Sequence, residues 1–268
     1  MTEENYHNKD DINNDNTKDS KEDKEIIISK SGDKEKGNNN QDEGNKYHAE
    51  ILNLENGFSE FDLNFKIIII GNSGVGKTCI TNMATKNIFS NKYQATIGME
   101  IFSLYVKLKD INKLINLQIW DTCGQEMYRS LISNFYRRTS LAILVYSIDK
   151  RESFKDIDLW LKELKTNNSP DTKIMLVGNK LDLEKNREVP YEEAKKCSED
   201  FNFCEFFETS AKTGENVKKM FIKAATILYD EAIKFNDNMT DATYSTFRPT
   251  LGNLRNSKGK KHKKKKWC

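Results

Sequence analysis

Residues 71–78 read GNSGVGKT. Gly71, Gly76, Lys77 and Thr78 fall at the spacing G-x-x-x-x-G-K-[ST]. Gly71 would turn the chain, and Gly74 and Gly76 would let the backbone bring its N–H groups against a phosphate. Lys77 would then reach the terminal phosphates and the Thr78 hydroxyl would ligate Mg²⁺. Three further stretches carry chemistry. In WDTCGQE (120–126), Asp121 can hold Mg²⁺ through water, Gly124 can offer its N–H to a γ-phosphate, and Gln125 can orient an attacking water. In GNKLD (178–182), Asp182 can accept hydrogen bonds from the N1–H and 2-amino group of guanine, donors that adenine lacks. Lys180 can lie along the purine face. In ETSAK (208–212), the Ala211 N–H can meet guanine O6 and Lys212 can pack over the base. Each stretch alone also has a plainer reading: a glycine-rich loop, an ordinary D-T-C-G turn, a helix-capping aspartate, an N-cap at Ser210.

The elements between these stretches decide among the readings. FKIIII (65–70) leads into the glycine loop and reads as a strand buried on both faces, the habit of parallel sheets. A helix is expected from the loop to about Asn87. MEIFSLYVKL (99–108) and LINLQIW (114–120) read as strands joined by a turn at Asp110 to Lys113. LAILVYS (141–147), KIMLVGN (173–179) and the weaker FCEFFET (203–209) complete six strands. Phe154, Ile157, Leu161 and Leu164 recur at helical spacing, as do Val217, Met220, Phe221, Ala224, Ala225 and Leu228. Strand and helix alternate, which predicts a doubly wound α/β domain with a mostly parallel six-stranded sheet flanked by helices. In such sheets, ligands bind beyond the carboxyl ends of the strands. Every candidate stretch above follows a predicted strand, so all converge on one crevice.

Composition locates the domain within the chain. For 268 residues, 37% hydrophobic content is low and 31% charged content is high, as when a normal domain carries polar ends. Residues 1–61 are expected to be a disordered polar extension, 62–235 the folded domain and 236–268 a flexible polybasic tail. IIIS (26–29) and YHAEIL (47–52) are apolar islands too short to bury a core, and a short helix is possible from Tyr47 to Leu54. The five cysteines form no zinc or disulfide pattern. No run reaches the roughly eighteen apolar residues of a membrane span. The polar N-terminus is not a signal peptide, and Thr2 excludes myristoylation.

Taken together, GNSGVGKT, the threonine of TIG, WDTCGQE, GNKLD and ETSAK resemble the small Ras-like GTPases over residues 62–235, with a P-loop NTPase fold. TIGMEIF, LQIWDTCGQEMYRSL, NFYRR and LVYSIDKRESF look like the Rab branch, regulators of vesicle and membrane traffic. The stretch between GNKLD and ETSAK is too short for the extra helix of Rho proteins, and Thr2 argues against an Arf-like protein. The resemblance implies GTP and GDP as ligands, Mg²⁺ as cofactor and slow hydrolysis of GTP. It implies Lys77, Thr96 and Gln125 as catalytic residues and Thr78, Thr96 and Asp121 as the metal set. The nucleotide site would comprise Ser73, Gly74, Val75, Gly76, Lys77, Thr78, Cys79, Phe89, Tyr93, Thr96, Gly124, Asn179, Lys180, Asp182, Ser210, Ala211 and Lys212. Thr96 would grip Mg²⁺ and γ-phosphate only in the GTP state, within switches near 88–100 and 122–138. Phe89 matches an aromatic that packs edge-on to the base, and Tyr93 one that closes over the phosphates. Ser73 is compatible with hydrolysis.

Two departures stand out. Cys123 replaces the usual alanine of the D-T-A-G turn. Ile101 stands where Rabs usually carry phenylalanine, and the neighbouring Phe102 cannot substitute because strand side chains alternate. The exposed triad that meets effectors becomes Ile101, Trp120 and Phe135. An exchange factor, a GTPase-activating protein, effectors and an escort or GDI-type prenyl-binding chaperone are the implied partners. A nucleotide-locked, non-hydrolysing membrane adaptor is the alternative.

The last residues read KKHKKKKWC. Arg255 to Cys268 holds eight of the 43 basic residues and no acid, leaving 35 basic against 41 acidic residues elsewhere. Cys268 looks like a prenyl acceptor, and lipid plus lysines would bind an anionic membrane surface, about 1 kcal/mol per basic residue. This would place the protein on the cytoplasmic face of an intracellular membrane, cycling with cytosol. A nuclear-targeting or nucleic-acid-binding run explains the lysines but not the cysteine.

Overall fold

The computed structural model describes residues 27–28, 46–52, 60–92, 96, 98–122 and 135–237, with backbone alone at 27–28 and 236–237. Its strands are β1 (Ile27–Ile28), β2 (Ala49–Leu52), β3 (Leu63–Ile70), β4 (Ile88–Phe89), β5 (Met99–Leu108), β6 (Lys113–Thr122), β7 (Leu141–Ser147), β8 (Lys173–Asn179) and β9 (Glu205–Thr209). Its helices are α1 (Lys77–Lys86), α2 (Arg151–Lys155), α3 (Ile157–Asn167), α4 (Tyr191–Asp200) and α5 (Val217–Asp237), with a 3₁₀ turn at Leu181–Asn186. The main sheet runs β2-β5-β6-β3-β7-β8-β9, and β1 pairs separately with β4. From β6 to β9 all neighbours are parallel, while β5 and β2 are added antiparallel.

The four isoleucines of β3 divide between two cores because successive side chains point to opposite faces. Ile67 and Ile69 join the cluster roofed by α1 and α5, where Ile80, Met83, Phe221, Ala225 and Leu228 are buried. Ile68 and Ile70 join the opposite cluster with Ile157, Trp160, Leu164, Leu176 and Ala194. All four isoleucines are fully buried, worth about 2 kcal/mol each against exposure. The expected apolar stripe of α5 is realised in full: Val217, Met220, Phe221, Ala224, Ala225 and Leu228 are all buried. Helix α1 stops where expected, at Asn87, which adopts φ 55° and caps the helix end.

Two expectations need correction. Helical spacing from Phe154 to Leu164 ran unbroken, but the helix divides at Asp156, which ends α2 and begins α3. The second concerns the segment before residue 62, expected to be a disordered extension with a possible helix at Tyr47 to Leu54. Ala49–Leu52 is instead a seventh strand on the edge of β5, registered Ala49↔Leu108 to Leu52↔Tyr105. Ala49 and Ile51 are too few to build a core, yet they and Tyr47 pack onto the existing one. The Tyr47 ring meets Tyr229 of α5 edge-on at 5.6 Å, and its hydroxyl donates to Asp230 at 2.9 Å. Backbone bonds hold the other flank: Lys109 N–H donates to His48 O, and His48 N–H to the Asp110 carboxylate.

Tyr47→Ala is expected to lower unfolding free energy by about 1–2 kcal/mol, through lost ring burial and the lost hydrogen bond to Asp230, which Lys46 still pairs. Urea unfolding checks this; an unmoved midpoint would mean that the segment contributes nothing to the fold.

Candidate nucleotide site

The site is assembled where β3, β6, β8 and β9 end. Beyond β3, the chain turns at Gly71 and winds into α1 through Gly76, which sits at φ 98° as the helix cap. A Cβ on Gly76 would strike the Asn179 side-chain amide, so the close approach, as well as the dihedral, requires glycine. Val75 is buried beneath the loop. Lys77, the first residue of α1, is only 5% exposed. Its ammonium folds back to donate to the carbonyls of Gly71 and Asn72 at 2.8 and 2.9 Å. A cation is thereby held on the rim of a loop whose helix N-terminus already favours negative charge.

Next to it lies a cluster of hard oxygen donors. Thr78 Oγ1 donates to Asp121 Oδ2 at 2.6 Å and stands 2.7 Å from Thr96 Oγ1. Asp121, the penultimate residue of β6, is fully buried, and its Oδ1 has no hydrogen-bond partner among the described residues. Burial pushes its carboxyl up to about 6, against the opposing pull of Thr78 and Lys77. Two hydroxyls and a carboxylate with an unsatisfied oxygen are the donor types that a hard divalent cation takes. The structure thus supports the fit of Mg²⁺ to Thr78, Thr96 and Asp121.

The base side is organised by Asn179, the last residue of β8 and almost wholly buried. Its Nδ2 donates to Val75 O at 2.8 Å, and its Oδ1 accepts from Thr209 Oγ1 and Ala211 N, each at 3.2 Å. The Ala211 N–H, assigned from sequence to guanine O6, is therefore directed at Asn179 here. Asp182 accepts from Ser210 Oγ at 2.6 Å, with Lys212 Nζ at 3.9 Å. Lys180 takes a left-handed φ of 69° and places its ammonium 3.5 Å from Asp149. Asp149 was not among the sequence candidates; it follows β7, at the same carboxyl edge that identified the others. Arg187 braces the turn after Asp182 by bonding both carboxylate oxygens of Glu208, at 2.6 and 2.7 Å, as well as Glu184.

A cavity of about 540 Å³ opens between the two halves. Ser73, Gly74, Gly76, Lys77, Thr78, Cys79, Phe89, Thr96, Asn179, Lys180, Asp182, Ala211 and Lys212 line it. Its volume is within the range of small-ligand sites. Val75, Asp121 and Ser210 sit behind this lining. Burial raises the Cys79 thiol pKa above its ordinary value, which leaves it a poor nucleophile. Tyr93, Cys123, Gly124, Gln125 and Cys268 lie outside the described residues.

Ile101 is 49% exposed and registers opposite Trp120 across the β5–β6 pair. Trp120 and Phe135 are in ring contact at 6.0 Å. Lys66 supports them: its ammonium lies 3.7 Å from the Trp120 ring centre and donates to the carbonyls of Phe135 and Arg137. Phe102 faces the other side, half-buried under Lys86, so it does not replace an aromatic at 101.

The model of the Ras family matches residues 66–230. The chain is 42% identical over 170 residues to the Ras-related protein RABA1b of Arabidopsis thaliana, covering 63% of this chain and 77% of that protein. Identity to the Ras-related protein Rab-11C of Dictyostelium discoideum is 40% over 188 residues, 70% and 83% of the two chains. For the human Ras-related protein Rab-30 it is 41% over 174 residues, 65% and 84%. With the phosphate loop, the hydroxyl–carboxylate cluster and the base-side loops meeting at one cavity, the chain belongs to the Ras family and is a Rab-like small GTPase.

Proposed function

We propose that the protein is a GTP-driven switch of membrane traffic, whose two states are read through the loops around Thr96 and Gln125. The observation that carries this is the Thr78–Thr96–Asp121 cluster. Thr96 belongs to no helix or strand, so its hold on the cluster can be made or lost without unfolding the sheet. Mg²⁺ bound by Thr78, Thr96 and Asp121 would neutralise phosphate charge. Lys77 would leave its two carbonyls for the β- and γ-phosphates, and the loop N–H groups from Ser73 to Cys79 would take the remaining oxygens. Thr96 would be held only while the γ-phosphate is present. Gln125 would orient the attacking water and Gly124 would donate to the γ-phosphate.

On the base side, Asp182 would exchange Ser210 for the N1–H and 2-amino group of guanine. Lys180 and Phe89 would contact the purine. Ordering of the switches would present Ile101, Trp120 and Phe135 to effectors. An exchange factor and a GTPase-activating protein would set the timing. The remaining features form an address: Cys268 as lipid acceptor, the polybasic tail on an anionic cytoplasmic membrane face, and a GDI-type chaperone for the cytosolic phase. The Rab names of the relatives support the traffic role.

Two measurements test this reading. Asp182→Asn reverses one hydrogen-bond direction at the base, so affinity should move from guanine towards xanthine nucleotides. A loss of about a hundredfold or more for GDP is expected, since a buried polar mismatch is costly. Competition by ATP as effective as that by GTP would overturn the assignment. The second concerns pH. Asp121 binds metal as the carboxylate, and burial holds its pKa near 6, above the ordinary value of 3.8. Protons therefore compete increasingly as pH falls through that value. At a fixed, limiting Mg²⁺ concentration, release of a fluorescent GDP should accelerate between about pH 7.5 and 5.5, and Asp121→Asn should flatten the profile.

A further inference from the structure

Asn72 follows Gly71 in the phosphate loop, and its side chain leaves the loop altogether. Its amide oxygen accepts from the indole N–H of Trp160 at 2.7 Å. Its amide nitrogen donates to Asp156 Oδ2 at 2.5 Å. Both partners lie more than eighty residues away in sequence. They are also one structural unit: the Asp156 carbonyl accepts from the Trp160 backbone N–H at 3.2 Å, within the first turn of α3. Trp160 is 1% exposed, wedged in the core that also holds Ile68 and Ile70. The grip is thus two-pronged and its far end is fixed. Only a side chain with an acceptor and a donor on one planar group meets both prongs.

We propose that Asn72 is a positioning residue that pins the phosphate loop to the α2–α3 junction and so sets how long the loop holds a bound nucleotide. The inference rests on the reading of the loop as a phosphate cradle. The backbone carbonyls of Gly71 and Asn72 are the two that hold the Lys77 ammonium. A shift of this short segment moves the lysine with it, and catalytic or binding geometry loosened by an ångström loses much of its effect. The break at Asp156 acquires a purpose. Asp156 caps both helices, and from that junction its carboxylate meets the loop at Asn72. Displacement of α3 would be transmitted to the phosphates through two hydrogen bonds.

The test is release of a fluorescent GDP from the Mg²⁺-loaded full-length protein. N72A removes both bonds, one of them to a carboxylate, and should speed release about tenfold or more. N72D keeps the acceptor for Trp160 but sets a carboxylate against Asp156, and should also speed release. The double variant N72D/D156N restores a donor–acceptor pair with its direction reversed, and should return release to within about twofold of the original. Leu164→Ala, a cavity in the same helix away from Asn72, should lower the unfolding midpoint without speeding release. The proposal falls if N72A releases at the original rate, if the double variant releases as fast as N72D, or if Leu164→Ala speeds release as much as N72A. Failure of the unaltered protein to hold guanine nucleotide would instead overturn the functional assignment itself.

Discussion

One buried amide keeps the two halves of this site in register. Asn179 carries no charge and is almost wholly buried, yet it bonds the phosphate loop at Val75, the end of β9 at Thr209 and the following turn at Ala211. Burying an amide costs several kcal/mol unless its hydrogen bonds are made. The three bonds are therefore satisfied together or the arrangement is disfavoured. That requirement fixes the distance between the loop that would hold phosphate and the loops that would hold the base. It also explains Gly76, whose missing Cβ is the space that Asn179 occupies.

Around that knot, the sheet supplies stiffness and the edges supply movement. Five parallel strands, packed on both faces, bring their carboxyl ends to a common line. Lys77, Asp121, Asn179 and Thr209 stand on or beside elements that cannot shift without opening a core. Thr96 has no such support, and this asymmetry is what a two-state device needs: a rigid cradle and one releasable contact. The Arg187–Glu208 pair adds rigidity on the base side. A buried ion pair contributes little net stability, but losing one partner strands the other, so it enforces geometry more than it stabilises.

Much of this was legible in the residues. Alternating strands and helices gave the fold class, because a hydrophobic run long enough for a strand and the helical stripe of α5 leave few other arrangements. The four glycine, carboxylate and amide stretches were legible because each follows a strand. The alternation rule correctly turned Phe102 away from Ile101. What could not be read is what depends on contacts distant in sequence. Ala49–Leu52 looked too short to matter, since its partners on β5 and α5 lie far along the chain and supply the core that the segment lacks. The break at Asp156 was hidden because the apolar spacing continues through it. The engagement of Ala211 with Asn179, and of Asn72 with Trp160, left no local pattern at all.

The two short strands before the domain also bear on each other. Ile27–Ile28 pairs with β4, beside the nucleotide cavity, while Ala49–Leu52 is fastened at the far end of β5. A ladder of two residues is too brief to persist between separate molecules. Within one chain its partner is already tethered, since β2 is fastened about twenty residues further on. The Tyr47–Tyr229–Asp230 contact therefore fastens to α5 the same stretch of chain whose earlier strand pairs with β4.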